Sequence, residues 1–132
     1  VRRALAADVD LGFELETAPV RGVALLLQEM LANLLDNAIR YGGKGGQVTV
    51  RSGRVNGLSV LEVEDDGPGI PAEDRAHVFE RFYRVAGSSG EGSGLGLAIV
   101  AEIAHAHGAE VGLSELATGK GARFSITFPV LP

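Results

Sequence analysis

The sequence contains no cysteine and no tryptophan, and it has no long apolar run. Without cysteine the chain can form no disulfide, no thiolate metal site and no thiol nucleophile. No stretch approaches the roughly 18 apolar residues that a membrane-spanning helix requires. Cysteine-based catalysis and disulfide-stapled scaffolds are therefore excluded.

Positive charge is also scarce, because Lys and Arg number 12 against 17 Asp and Glu, for a net charge of −5. The basic residues form no stripe that could neutralise a row of phosphates, so we expect no nucleic-acid partner. Of the 132 residues, 45% are hydrophobic and 22% are charged, which predicts one folded domain over residues 1–132. The opening Val-Arg-Arg resembles neither a signal peptide nor a natural start, so we expect a piece of a longer protein.

The sequence has 19 glycines, and most of them cluster at 42–46, 67–69, 87–96 and 119–121, between segments of regular hydrophobic periodicity. These clusters are predicted to be loops. Alternating or helical spacing predicts the elements between those loops. They are a half-buried strand over 9–16, a helix over 21–41, a hairpin of strands 47–54 and 58–65, a short helix over 72–82, a helix over 95–107, and strands over 110–116 and 122–129. The first strand has one apolar face, formed by Val9, Leu11, Phe13 and Leu15. The first helix has an apolar stripe, formed by Leu27, Met30, Leu31, Leu34 and Ala38. Antiparallel strands with helices on one side predict an α/β two-layer sandwich with a mixed, mostly antiparallel sheet.

Two common phosphate-binding motifs and one metal motif do not fit. The glycines at 90, 92, 94 and 96 fall at every second position, unlike the dinucleotide fingerprint, and Lys120 is followed by Gly121 and a strand rather than by a helix. Glu102 and His105 have the spacing of a di-iron ligand pair, but such a site needs a second copy that this sequence lacks.

Asp65 is the most informative polar residue. Because strand side chains alternate, Asp65 shares a face with Leu61 and Val63, which predicts that its carboxylate points toward the core. A buried carboxylate needs a hydrogen-bond donor, and the Gly-Pro-Gly turn at 67–69 would let a flat ligand approach the backbone. The alternative is that Asp65 caps this turn by bonding its own backbone.

Four segments in order resemble the N box, first glycine box, F box and second glycine box of the sensor histidine kinases. They are residues 33–41 (NLLDNAIRY), 65–70 (DDGPGI), 78–84 (VFERFYR) and 92–100 (GSGLGLAIV). The set is similar to their catalytic, ATP-binding domain, which is of the GHKL class. The resemblance implies the GHKL ATP-binding fold, the ligands ATP or ADP with Mg(2+), and transfer of the γ-phosphoryl group to a histidine in two-component signalling.

The resemblance also implies roles for individual residues. Asp65 would accept a hydrogen bond from the adenine amino group, and Asn37 would ligate Mg(2+) and take part in catalysis. Arg40 would contact a phosphate, and Tyr41 would border the base. Asn33 is a further candidate for nucleotide binding, although a solvated helix face fits this residue best.

The two glycine boxes and the F box supply the remaining candidates. Arg84 would be a catalytic contact in a mobile lid whose central residues are 85–93, and Phe79 and Phe82 would anchor that lid on the core. The backbone N–H groups at the start of the following helix would face the phosphates. The other nucleotide-binding candidates are Gly67, Gly69, Ile70, Gly94, Leu95, Gly96 and Leu97.

Two positions depart from related patterns. Hydrolytic GHKL ATPases carry a glutamate base four residues before the metal-binding asparagine, whereas this chain has Asn33, whose amide cannot accept a proton at neutral pH. Ala122 stands where the family often has threonine. The first departure favours a phosphotransferase over a hydrolytic ATPase. A serine kinase that acts on a regulator and a non-enzymatic ligand-binding module remain as alternatives.

The phosphoacceptor is expected outside this sequence. In the family it lies on a dimerising helical hairpin beside a carboxylate, and His77, His105 and His107 lack that setting. The resemblance therefore implies a monomeric chain from a homodimeric parent, with the parent's phosphoacceptor domain as direct partner and a response regulator as indirect partner. It also implies a cytoplasmic domain of an inner-membrane sensor protein.

Overall fold

The computed structural model describes residues 10–42, 46–83, 94–116 and 119–130. In these residues it contains five strands and three helices. The elements in chain order are β1 (Asp10–Leu15), α1 (Ala24–Gly42), β2 (Gln47–Val55), β3 (Leu58–Asp65), α2 (Ala72–Arg75), α3 (Gly96–Ala106), β4 (Glu110–Ser114) and β5 (Ala122–Thr127). None of the helices in these ranges has the length and apolar character needed to cross a membrane.

The five strands form one mixed sheet in the order β1-β2-β3-β5-β4. β1 runs parallel to β2, and the other neighbouring strands are antiparallel. Asn56 and Gly57 connect β2 to β3 with φ values of 52° and 81°, as a tight hairpin turn requires. With the helices on one face, the sheet confirms the predicted two-layer α/β sandwich.

The core lies between the sheet and the helices α1 and α3. The strand register places alternate residues of β2, β3 and β5 on this face, where they are at most 2% exposed: Val48, Val50, Val63, Phe124 and Ile126. The helices bury Met30, Leu34, Ala38, Val100, Ile103 and Ala104 against them. On α1, the predicted apolar stripe is confirmed at Met30, Leu34 and Ala38, because burial of one apolar face stabilises an amphipathic helix.

Helices α1 and α3 pack antiparallel, as contacts near both ends show. Near one end the Val23 N–H donates to His107 Nε2 at 3.1 Å. Near the other, Asn33 Oδ1 lies 3.2 Å from the position that a Cβ on Gly96 would occupy. The first residues of α3 therefore lie beside the C-terminal half of α1, where the N box is located.

β1 corrects one sequence prediction. Leu11 is half-buried as predicted, but Phe13 and Leu15 are 56% and 63% exposed. β1 lies at the edge of the sheet and pairs only with β2 in the described structure, whereas α1 packs on β2 and β3 and α3 packs on β4. Alternation identified the strand correctly, but it could not show that the strand extends beyond the helix layer.

The predicted helix over 72–82 is shorter than expected. Only the four residues of α2 are helical, and the chain then continues through turns to Phe82. Phe79 packs edge-on against Phe124 with ring centroids 5.9 Å apart, which supports its assignment as an anchor on the core. Phe82 is 69% exposed with φ 67°, so the prediction that it packs on the core is wrong.

Candidate functional site

A cavity of about 500 Å³ opens at the end of β3, in the size range of small-molecule sites. Its walls come from α1, the loop after β3, α2, the start of α3 and β5. Five residues predicted as site residues line it: Asn37, Asp65, Gly69, Ile70 and Leu97. Residues that are far apart in sequence therefore meet in one concave site.

Asp65 is only 3% exposed and lies at the C-terminal end of β3. Its Oδ1 accepts a hydrogen bond of 2.9 Å from the backbone N–H of Gly67. The turn-capping alternative is thus correct for this oxygen. A carboxylate has a second oxygen, and Asp65 lines the cavity, so capping the turn leaves an acceptor for a ligand.

Burial raises the pKa of Asp65 from 3.8 to about 6. The hydrogen bond from Gly67 acts in the opposite direction, and the neighbouring charges of Asp66 and Glu64 add to the rise. The carboxylate is therefore ionised at neutral pH in a setting that disfavours its charge. A ligand that donates a hydrogen bond to it would relieve part of this penalty.

The floor of the cavity requires glycine at two positions. A Cβ on Gly121 would lie 2.2 Å from the Asp65 carbonyl oxygen, and a Cβ on Gly69 would lie 2.8 Å from the Gly121 carbonyl oxygen. Both glycines also have positive φ, at 75° and 81°. The close backbone contacts bring the loop after β3 against the start of β5 and leave the cavity open above them.

The polar residues of α1 divide into two groups. Asn37 is half-buried and lines the cavity. Arg40 does not line it, and Arg40 Nε lies 2.8 Å from Asp36 Oδ2 one helical turn away. Asn33 Nδ2 donates to the Glu29 carbonyl oxygen at 2.9 Å, and Asn33 is likewise absent from the cavity lining. Tyr41 lies in the last turn of α1, and its side chain is outside the described structure.

The remaining candidates surround the cavity or lie outside the described residues. Gly67 is buried and donates to Asp65, and Gly94, with φ 76°, accepts the Phe82 N–H at 2.8 Å. Leu95 precedes α3 and Gly96 begins it, beside the cavity-lining Leu97. Arg84 and the predicted lid over 85–93 fall outside the described residues.

Eleven cavity-lining residues were not among the predicted site residues, and three of these eleven have polar side chains: Arg75, Tyr83 and Glu115. Tyr83 belongs to the F box, so the motif was a usable signal. Arg75 and Glu115 are 40 positions apart, and no pattern in the sequence connects them.

No group of three or more His, Cys, Asp or Glu residues able to hold a metal ion occurs among the described residues. The Asn37 amide oxygen at the cavity is a hard donor of the type that Mg(2+) accepts.

Comparison with known proteins gives the family. The profile described as "Histidine kinase-, DNA gyrase B-, and HSP90-like ATPase" matches residues 22–132. The chain belongs to this ATPase family. The resemblance noted from the four boxes is thereby confirmed.

Individual relatives of this ATPase domain are sensor kinases. The chain is 43% identical to the sensor protein kinase PmrB of Pseudomonas aeruginosa, over 97% of the chain and 27% of PmrB. It is 44% identical to the sensor histidine kinase CusS of Escherichia coli, over 96% of the chain and 27% of CusS. The chain thus spans about a quarter of the length of these relatives.

The fold of this ATPase domain also matches a solved kinase structure. The mycobacterial sensor histidine kinase MprB superposes with a TM-score of 0.88 and 34% identity, over 99% of this chain and 90% of that one. The GHKL-type ATP-binding fold predicted from the sequence is therefore confirmed.

Proposed function

We propose that the chain binds ATP with Mg(2+) and transfers the γ-phosphoryl group to a histidine on a separate dimerisation and phosphoacceptor domain. The observation that carries this proposal is the cavity that both Asp65 of β3 and Asn37 of α1 line. A buried acceptor suits the adenine amino group, and an amide oxygen suits the metal beside the phosphates. Membership of an ATPase family supports the nucleotide as ligand.

In the proposed reaction an imidazole nitrogen of the acceptor histidine forms a bond to the γ-phosphorus. The bond from this phosphorus to the β,γ-bridging oxygen breaks, and ADP leaves with that electron pair. A carboxylate beside the acceptor histidine takes the imidazole N–H proton. Mg(2+), when bound, neutralises charge on the phosphates. The residues of this chain bind and orient the nucleotide, so that catalysis rests mainly on positioning.

Hydrolysis of ATP is the less favoured alternative. Asn33 occupies the position of the glutamate base, and its amide nitrogen is hydrogen-bonded to the Glu29 carbonyl oxygen. The cavity-lining carboxylates in the described structure are Asp65 and Glu115, of which Asp65 accepts from Gly67 and Glu115 pairs with Arg75. Neither carboxylate has the setting of a base for water at the γ-phosphate.

Incubation with γ-labelled ATP, with and without the phosphoacceptor domain of the parent kinase, tests the proposal. We expect label on the acceptor domain alone, because none of the histidines of this chain is set as an acceptor. Transfer to serine, rapid phosphate release, or ATP binding without transfer would favour the serine kinase, the hydrolase or the binding module, respectively. The proposal further includes a response regulator downstream, a monomeric chain from a homodimeric parent, and a cytoplasmic location where ATP is available.

A further inference from the structure

An ion pair joins two walls of the cavity that are distant in sequence. Arg75 is the last residue of α2, and Glu115 follows the end of β4. Arg75 Nη2 lies 2.6 Å from Glu115 Oε1, and both residues line the cavity. The pair therefore links α2 to the segment that leads into β5.

The same guanidinium makes a second contact, with the loop that follows Asp65. Arg75 Nε donates to the Ile70 carbonyl oxygen at 3.1 Å. The planar guanidinium presents its donors in a fixed arrangement, so one side chain can hold two acceptors at a set separation. A lysine has a single nitrogen on a flexible stem and cannot reproduce this geometry.

The setting of Arg75 points to a role in the cavity rather than in core stability. Its side chain is 31% exposed and that of Glu115 is 49% exposed, and ion pairs with such exposure contribute little to folding. Helix α2 has one turn and no buried residue, and its Asp74 accepts a hydrogen bond from the Tyr83 hydroxyl. The contacts of Arg75 tie this helix to the loop after Asp65 and to Glu115.

We infer that Arg75 is a positioning residue for the nucleoside part of the ligand. Its bridge from Ile70 to Glu115 holds the cavity wall against which the nucleoside packs. This inference rests on the proposed function, in which the loop from Asp65 to Ile70 recognises adenine. Arg75 acts through the cavity wall, so its loss should weaken the binding of all adenine nucleotides by the same factor, whatever their number of phosphates.

The experiment measures the affinity of this chain for ATP, ADP and AMP by calorimetry at pH 8 with Mg(2+). Arg75→Met removes both contacts, and Arg75→Lys keeps the positive charge but loses the paired geometry. Arg54→Met is the control, because Arg54 is exposed near the end of β2, outside the cavity lining and outside the four boxes. Melting temperatures are recorded for every variant.

We expect both Arg75 variants to bind the three nucleotides about fivefold to tenfold more weakly than wild type, as loss of a hydrogen-bonded contact predicts. The Arg54 control should stay within about twofold of wild type, as expected for an exposed charge outside the cavity. Wild-type affinity in Arg75→Met would overturn the inference, as would full affinity in Arg75→Lys, since charge alone would then suffice. A loss of affinity confined to ATP would assign Arg75 to phosphate binding and would also overturn the inference.

Glu115→Gln keeps the inference testable if Arg75 variants do not fold. We expect it to lower affinity by about twofold to threefold, since the Ile70 contact remains, whereas unchanged affinity would contradict the bridge. In folded protein, the double variant Arg75→Met with Glu115→Gln should bind no more weakly than Arg75→Met alone. If wild-type chain binds no adenine nucleotide, the proposed function itself fails, and the inference fails with it. Wild-type binding with insensitive variants refutes the inference alone.

Discussion

Replacement of Asp65 by Asn should stabilise the ligand-free protein at neutral pH and at the same time weaken nucleotide binding. Asp65 is 3% exposed, and burial raises its pKa from 3.8 to about 6. An amide of the same shape carries no charge to bury, and its oxygen can still accept from the Gly67 N–H. The substitution therefore removes the burial penalty and leaves the fold intact.

The size and sign of this effect follow from the raised pKa. A folded-state pKa near 6 means that the native protein holds a proton that the unfolded chain releases near pH 4. The stabilisation from that proton is complete below about pH 4 and is lost as the pH rises to about 6. The rise of the Asp65 pKa from 3.8 to about 6 corresponds to about 3 kcal/mol. The free energy of unfolding of the Asn variant should therefore exceed that of wild type by up to this amount at pH 7.5.

Ligand binding should change in the opposite direction. The carboxylate has two acceptor oxygens, one for the Gly67 N–H and one for an adenine amino group. The amide of Asn has one oxygen, so either the turn or the ligand meets an N–H donor instead. An unmade buried hydrogen bond costs about 1 to 3 kcal/mol, which predicts about tenfold to hundredfold weaker ATP binding.

Urea unfolding of Asp65→Asn and wild type at pH 4 and pH 7.5 measures the first effect, and calorimetry with ATP measures the second. Asp66→Asn is the matched control, because Asp66 is exposed and its Oδ1 accepts from the Gln47 N–H at 2.8 Å. A stability difference for Asp65→Asn that does not grow between the two pH values would refute the reasoning about burial. Unchanged ATP affinity would return Asp65 to a turn-capping role alone.

Three further predictions concern the metal, the glycine floor and the acceptor. Asn37→Ala should reduce phosphotransfer more than nucleotide binding, as single-turnover rates and calorimetry would show, because its proposed role is to hold Mg(2+). Gly121→Ala should destabilise the fold by about 2 to 4 kcal/mol in urea unfolding. Gly119 is the control, because it has a similar φ of 82° but a Cβ added to it would meet no atom within 4 Å. Gly119→Ala should therefore cost only about 1 to 2 kcal/mol. Equal losses would contradict the close contact with Asp65. The isolated chain should acquire no label from γ-labelled ATP, and labelling would argue for an acceptor within this sequence.

Most of the fold could be predicted because its elements have strong local signals. The apolar stripe of α1, the Asn56-Gly57 turn and the alternation of β5 each specify an element without reference to the rest of the chain. The errors arose where tertiary position decides. Phe13 is exposed because β1 lies at the sheet edge, and Phe82 is exposed because its backbone turns toward Gly94.

The candidate site was predictable where a residue belongs to a contiguous motif. Asp65 and Asn37 line one cavity, in agreement with the expectation from their boxes. The bridge between Arg75 and Glu115 was not predictable, because it depends on two segments that only the folded sheet brings together. The contact of Arg40 with Asp36 could be predicted from helical spacing, and a phosphate contact of Arg40 would require a change of partner.

The two adjacent carboxylates at the end of β3 show why burial alone does not identify a functional residue. Glu64 and Asp65 are both buried, but they point to opposite faces of the sheet. Burial acts to raise the pKa of Glu64, yet hydrogen bonds from Arg51 and Arg123 outweigh it and lower that pKa.

Asp65 has no cationic partner among the described side chains, and its pKa rises. The fold neutralises the carboxylate on the open face, whereas the carboxylate at the cavity retains its unfavourable charge. The positive φ of Phe82, a non-glycine residue, occurs beside Tyr83 at the same cavity. Features that oppose stability thus collect where the nucleotide is proposed to bind, so changes that relieve them should stabilise the domain at the expense of its function.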